Sequence, residues 1–119
     1  IANEKLNDPN QPDPTANNVN LQKYTTAMAE VAKANDVLFV DLFALSQRLY
    51  AQAAKQGQSL TFNTLHLTEA GNQALAPEIL QALFNTTPPA GKLEKLRAAV
   101  NDKNSEWLAK TRPRSPIST

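Results

Sequence analysis

Cysteine is absent from this chain of 119 residues, which excludes disulfides, thiolate metal sites and a cysteine nucleophile while leaving the redox compartment open. Net charge is nearly absent too: 12 basic and 11 acidic residues, spread along the sequence, leave +1. Such a balance points neither to nucleic acid nor to an anionic membrane surface. No apolar run approaches the length of a membrane span, and no stretch reads as a signal peptide. Aromatic residues make up only 6% against 41% apolar residues, so the expected core is modest and rich in Ala and Leu. The first residue is Ile1 rather than Met, which reads as a processed, excised or partial product.

Histidine is scarce as well, and here scarcity is informative. The one imidazole, His66, lies in the polar segment Leu60-Thr61-Phe62-Asn63-Thr64-Leu65-His66-Leu67-Thr68-Glu69-Ala70-Gly71-Asn72. Histidine is the side chain best matched to proton transfer near neutral pH. A position just ahead of a helix holds it on a rigid element while leaving the ring reachable. The competing reading is a solvated loop histidine with no task.

Along the chain, Asn, Pro and acidic residues crowd the first 18 positions, giving turn chemistry without periodicity, so residues 1–18 read as an irregular loop. Ile1-Ala2 resembles the frayed end of a strand. A helix follows, with Leu21, Tyr24, Met28, Val31 and Ala32 on one face and Asn18 or Asn20 as its cap. Asn35-Asp36 breaks it. The uninterrupted apolar run Val37-Leu38-Phe39-Val40 then has the pattern of a strand buried on both faces, and helix followed by buried strand suggests a parallel α/β arrangement. After Asp41, a second helix should turn Leu42, Leu45, Leu49 and Ala53 inward and stop near Gly57. A third is capped by Thr68, with Glu69 set against the helix dipole and Ala70, Ala74, Leu75, Ile79, Leu80 and Leu83 as its apolar positions. Pro77 should kink or divide it. Residues 87–110 read as a linker and a terminal helix carrying Leu93, Leu96, Val100, Trp107 and Leu108, the linker-like composition already setting in at Asn85-Thr86-Thr87; residues 111–119 read as a flexible tail. A single buried strand has no ladder partner for its backbone groups, so the expectation is a fragment whose other strands lie upstream or on a partner.

The block His66-Leu67-Thr68-Glu69-Ala70-Gly71-Asn72, preceded by Asn63, resembles the C-terminal third of an SGNH (GDSL-type) hydrolase, in the bacterial branch that carries an Asn-x-x-His-Leu-Thr block. A second block is similar to the end of that branch's hydrolase domain: Leu96-Arg97-Ala98-Ala99-Val100-Asn101-Asp102-Lys103-Asn104-Ser105-Glu106-Trp107, then Arg112-Pro113. The approach from Asn18 through Leu21 to Tyr24 is similar as well. The resemblance implies a partial three-layer α/β/α, flavodoxin-like fold, mostly helical here with one buried parallel strand, residues 1–86 being the C-terminal part of the hydrolase domain.

It also implies hydrolysis of an acyl or acetyl ester, on a small molecule or a carbohydrate, by a serine esterase. His66 would take the serine proton as the nucleophile attacks and return it to the leaving alcohol. The family's orienting carboxylate usually lies three residues before the histidine, where this chain has Asn63. A neutral amide can hold the ring through its carbonyl oxygen but gives the imidazolium no charge stabilisation. Asn63 reads equally as a turn residue. Asp41 and Glu69 are alternative carboxylates, each also explained as a helix-terminus residue. No Gly-Asp-Ser or Gly-x-Asn-Asp block occurs, and of Ser46, Ser59, Ser105, Ser115 and Ser118 only Ser59, in the loop before His66, retains any claim as a nucleophile. The nucleophile and oxyanion hole are thus expected from the upstream part of the same hydrolase domain, with this chain inactive alone. Gly71 reads as a close-packing position, Trp107 as core rather than a sugar platform, and Asn85-Thr86-Thr87 as a formal glycosylation sequon. No cofactor, metal or nucleic-acid partner is implied, and a periplasmic or extracellular location fits the lack of cysteine. The rival expectation is a non-catalytic helical interaction module with His66 in a satisfied loop.

Overall fold

Helices account for the regular secondary structure of the residues that the computed structural model describes, 1–89 and 93–111. They are α1 (Thr15–Ala34), α2 (Leu42–Lys55), α3 (Glu69–Phe84) and α4 (Glu94–Thr111). Two compact units result, Ile1–Pro88 with the first three helices and Pro89–Thr119 with the fourth.

The starts of α1, α2 and α3 each have a local cause. The Asp13 carboxylate accepts the Thr15 N–H at 2.8 Å, so α1 begins there rather than at an Asn cap. Asn18 instead turns its side chain to the N-terminal segment, accepting from Asn3 N–H and donating to Asn3 O, both at 2.8 Å. Asp41 caps α2 through Ala44 N–H at 2.9 Å, and Thr68 caps α3 through Gly71 N–H at 3.1 Å. Pro77 lies inside α3 without dividing it, and Asn85 ends that helix in the left-handed conformation at φ 48°.

The α/β expectation is overturned. Among the described residues there is no strand or sheet; the only ladder contact is an isolated antiparallel bridge between Thr61 and Leu67. Residues 37–40 are not a buried parallel strand, for Val37 is 60% and Leu38 67% exposed. A strand needs a neighbour to receive its backbone groups, and the N-terminal segment, residues 2–4, is committed elsewhere. Its backbone bonds run from Ala2 N–H to Ser46 Oγ, between Asn3 and Asn18, and from Glu4 N–H to Thr64 O. The architecture is all-helical, and the α/β/α layering implied by the SGNH resemblance is absent from these residues.

The core of the first unit is small: Ala2, Phe43, Tyr50, Ala53 and Leu60, with Leu21, Leu49, Leu67 and Ala74 packed against it. Burying a side chain such as Phe43 or Leu60 contributes about 1.5–3 kcal/mol. Helix α2 turns Phe43, Ser46, Tyr50 and Ala53 fully inward, a stripe one residue round from the Leu42, Leu45 and Leu49 stripe, which is only half-buried. On α1, Leu21 packs on the core while Tyr24, Met28 and Val31 are exposed. Arg48 on α2 and Glu78 on α3 form an ion pair at 2.7 Å, half-exposed and worth under about 1 kcal/mol.

In the second unit α4 buries no residue; Trp107 is 60% exposed, contrary to its expected place in a core. Thr111 closes this helix by donating its hydroxyl to Trp107 O at 2.8 Å. The rest of the expected tail, residues 112–119, and the linker residues Ala90 and Gly91 lie outside the described residues. Among the described residues, no helix is long and apolar enough to cross a membrane.

Candidate active site

His66 sits on a loop, residues 60–68, that closes on itself between α2 and α3. Thr68 N–H donates to Leu60 O at 2.8 Å, Thr68 Oγ1 donates to the same carbonyl at 3.1 Å, and Phe62 N–H donates to His66 O at 3.1 Å. Thr64, at the turn, has φ 67°, a conformation rare for a β-branched residue and costing on the order of 1–3 kcal/mol. Helix α3 begins immediately after, so the loop leaves the core at Leu60 and returns at the Thr68 cap.

Asn63 and His66 are brought together. Asn63 Oδ1 accepts the His66 backbone N–H at 2.9 Å and lies 3.0 Å from His66 Nδ1. The first contact decides the chemistry of the second. A backbone N–H is only a donor, so the amide atom it meets is the oxygen. An oxygen facing Nδ1 favours a proton on Nδ1, which in the neutral ring leaves the Nε2 lone pair free. One face of the imidazole is covered by Phe62, stacked at 5.6 Å between centroids and 18° between planes. The ring is otherwise open to solvent, and Nε2 has no hydrogen-bond partner among the described residues. The loop therefore presents an oriented, accessible imidazole.

The other candidates are held elsewhere. The Asp41 carboxylate is occupied as the α2 cap, and Glu69 lies in the first turn of α3, accepting from Gln73 Nε2 at 3.3 Å. Ser46 is 1% exposed and bonded within the core. Ser59 is exposed on the approach to Leu60, Ser105 lies on α4, and Ser115 and Ser118 fall outside the described residues. Gly71 makes its close approach to the loop rather than to a sheet: a Cβ there would collide with the Leu60 carbonyl. Among the described residues no three of His, Cys, Asp and Glu converge as metal ligands.

Two residues went unnoticed in the sequence. Phe62 precedes His66 by one helical-type spacing, and only that i, i+4 relation hinted at contact. Glu4 is the larger omission. It is 4% exposed, and its carboxylate accepts from Leu60 N–H at 3.0 Å to each oxygen, from Thr61 N–H at 2.6 Å and from Thr61 Oγ1 at 2.7 Å. Glu4 shares with Ala2 the inward parity of an extended segment, which was the one available signal. Beside it, the Tyr50 hydroxyl is buried without a hydrogen-bond partner among the described residues. Burial pushes the phenol up to about 12 and the Glu4 charge adds to this, while the Ser46 hydroxyl opposes both weakly from outside hydrogen-bond geometry.

Comparison of the chain with protein-family models, with curated proteins and with solved structures finds no match.

Proposed function

We propose that this chain supplies the general base of an ester-hydrolysing serine enzyme, with His66 as the base and Asn63 as its orienting partner. The observation that carries the reading is the double contact of Asn63 Oδ1 with the backbone and ring of His66, which favours a proton on Nδ1 and so a free Nε2 in the neutral ring. The resemblance of the two sequence blocks to SGNH hydrolases supports the same chemistry, though not their layered fold. His66 Nε2 takes the hydroxyl proton of a serine outside this chain as that oxygen attacks the ester carbonyl. It then returns the proton to the departing alcohol. An acetyl or other small acyl ester, on a small molecule or a carbohydrate, is the substrate class.

The test uses the full polypeptide in which these residues occur. His66→Ala is expected to lower ester turnover by several powers of ten, as for other serine–histidine pairs. A variant keeping most of its rate ends the reading. Fluorophosphonate labelling with peptide mapping then locates the serine, expected outside this chain; an adduct on Ser59 would make the chain self-contained. The rival reading, a non-catalytic helical interaction module, draws support from the exposed Tyr24, Met28 and Val31 on α1. It requires that His66→Ala change nothing.

A further inference from the structure

We infer that Glu4 is the positioning residue for His66: its buried carboxylate holds the loop at Leu60 and Thr61, its backbone N–H holds Thr64, and these two grips on either side of Asn63 set the orientation in which Asn63 holds the imidazole. The functional meaning of this inference rests on the reading of His66 as a base; the geometric claim does not.

The bonds within the loop close the turn but do not attach it to the core. Attachment is made by its buried members, Leu60, Thr61 and Thr64, each bonded to Glu4, together with the half-buried Leu67 packed against the core. The carboxylate collects Leu60 N–H, Thr61 N–H and the Thr61 hydroxyl, while Glu4 N–H donates to Thr64 O at 2.8 Å. Asn63 lies between these two anchor points in the chain. Thr64 is in the left-handed conformation there, and two residues on the chain has returned far enough for the His66 N–H to meet Asn63 Oδ1. Asn63 is half-buried and His66 exposed; among the described residues the side-chain hydrogen bonds of both are to each other, and Phe62 stacks on the imidazole. Their placement is therefore inherited from the anchor.

A carboxylate is the group the anchor calls for. Two successive backbone N–H groups and a hydroxyl converge on it, and an acceptor-only group satisfies all three. No ion pair to Glu4 occurs among the described residues, so hydrogen bonds alone stabilise it in its buried place. Glutamine has the same shape but turns an NH2 toward at least one of these donors. The expected result is a loop that slips at Thr61 without loss of the hydrophobic core.

Long-range proton–nitrogen NMR of the imidazole in the intact chain reads the consequence directly, at a pH where the ring is neutral. The native protein should show a protonated Nδ1 and a bare Nε2. Glu4→Gln should move the ring toward the mixed tautomers of free histidine, with Glu4→Asp between the two. In the full esterase, kcat should fall about a hundredfold in Glu4→Gln with KM little changed, the penalty of a misplaced catalytic group. A folded Glu4→Gln protein that keeps the native tautomer overturns the inference. If Glu4→Gln does not fold, Thr61→Val removes a single donor from the same anchor: a tautomer shift supports the inference and a native spectrum overturns it. A tautomer that responds to Glu4 while His66→Ala stays active would retire the catalytic reading and leave the positioning intact. The reverse pattern would do the opposite.

Discussion

Ser46 Oγ accepts the Ala2 backbone N–H at 2.8 Å and donates to Phe43 O at 3.0 Å, so a helix residue and the chain's second residue are joined inside the core. This serine is fully engaged in holding the N-terminal segment, and hence Glu4, against α2. Ser46→Ala leaves the Ala2 N–H buried without a partner, which costs about 1–3 kcal/mol. A urea titration should show that loss as a lower midpoint with unchanged slope. Fluorophosphonate should not label Ser46 in the native protein. A neutral substitution would mean that the segment can leave the core freely.

Gly71 is a second point where the site depends on backbone packing. The Leu60 carbonyl that a Cβ at position 71 would strike is the one that accepts both Thr68 N–H and Thr68 Oγ1. Because the obstacle is backbone, it cannot swing aside as a side chain does. Gly71→Ala gains about 1 kcal/mol of helix propensity, but overpacking costs about 1–3 kcal/mol and the cap is disturbed as well. The expected outcome is a lower Tm in thermal denaturation. A raised Tm would show that the loop yields to α3 and is less firmly anchored than its bonds suggest.

The parts of this structure that were legible in the sequence are those decided within a few residues. Asp41 and Thr68 cap helices through bonds spanning three residues, and the Asn63–His66 contact spans three as well. The apolar run at residues 37–40 was misread because a strand is defined by its neighbour, and its own side chains carry no record of one. Periodicity shows that α1 has an apolar stripe but not which part of it is covered: Leu21 packs on the core while Tyr24, Met28 and Val31 stay exposed. On α2 two adjacent stripes fit the same period, and the polar atoms of Ser46 and Tyr50 hid the one that is fully buried. Glu4 was beyond reach for a different reason. Its partners Leu60 and Thr61 lie 56 and 57 residues away, and a lone acidic residue in a loop looks solvated until the fold surrounds it.

Tyr50 links this buried polar cluster to pH. Its phenol has an ordinary value of 10.0 and is pushed up to about 12 in the folded protein, chiefly by burial and further by the Glu4 carboxylate. Below about pH 10 the phenol is neutral in both folded and unfolded chains, and its contribution to stability is fully present. Between about pH 10 and 12 the unfolded chain loses the proton first, so unfolding releases a proton and stability falls as pH rises. Raising the phenol from 10.0 to about 12 corresponds to about 2–3 kcal/mol lost across that window. Tyr50→Phe removes the titrating group, and at neutral pH it also removes a buried hydroxyl that has no hydrogen-bond partner among the described residues, so the substitution should be neutral or stabilising there. Denaturant midpoints of the two proteins at about pH 8 and about pH 11.5 decide the matter. The native chain should weaken more than Tyr50→Phe at the alkaline point. Equal alkaline losses would mean that the phenol ionises in place, with solvent reaching the space between Tyr50, Ser46 and Glu4.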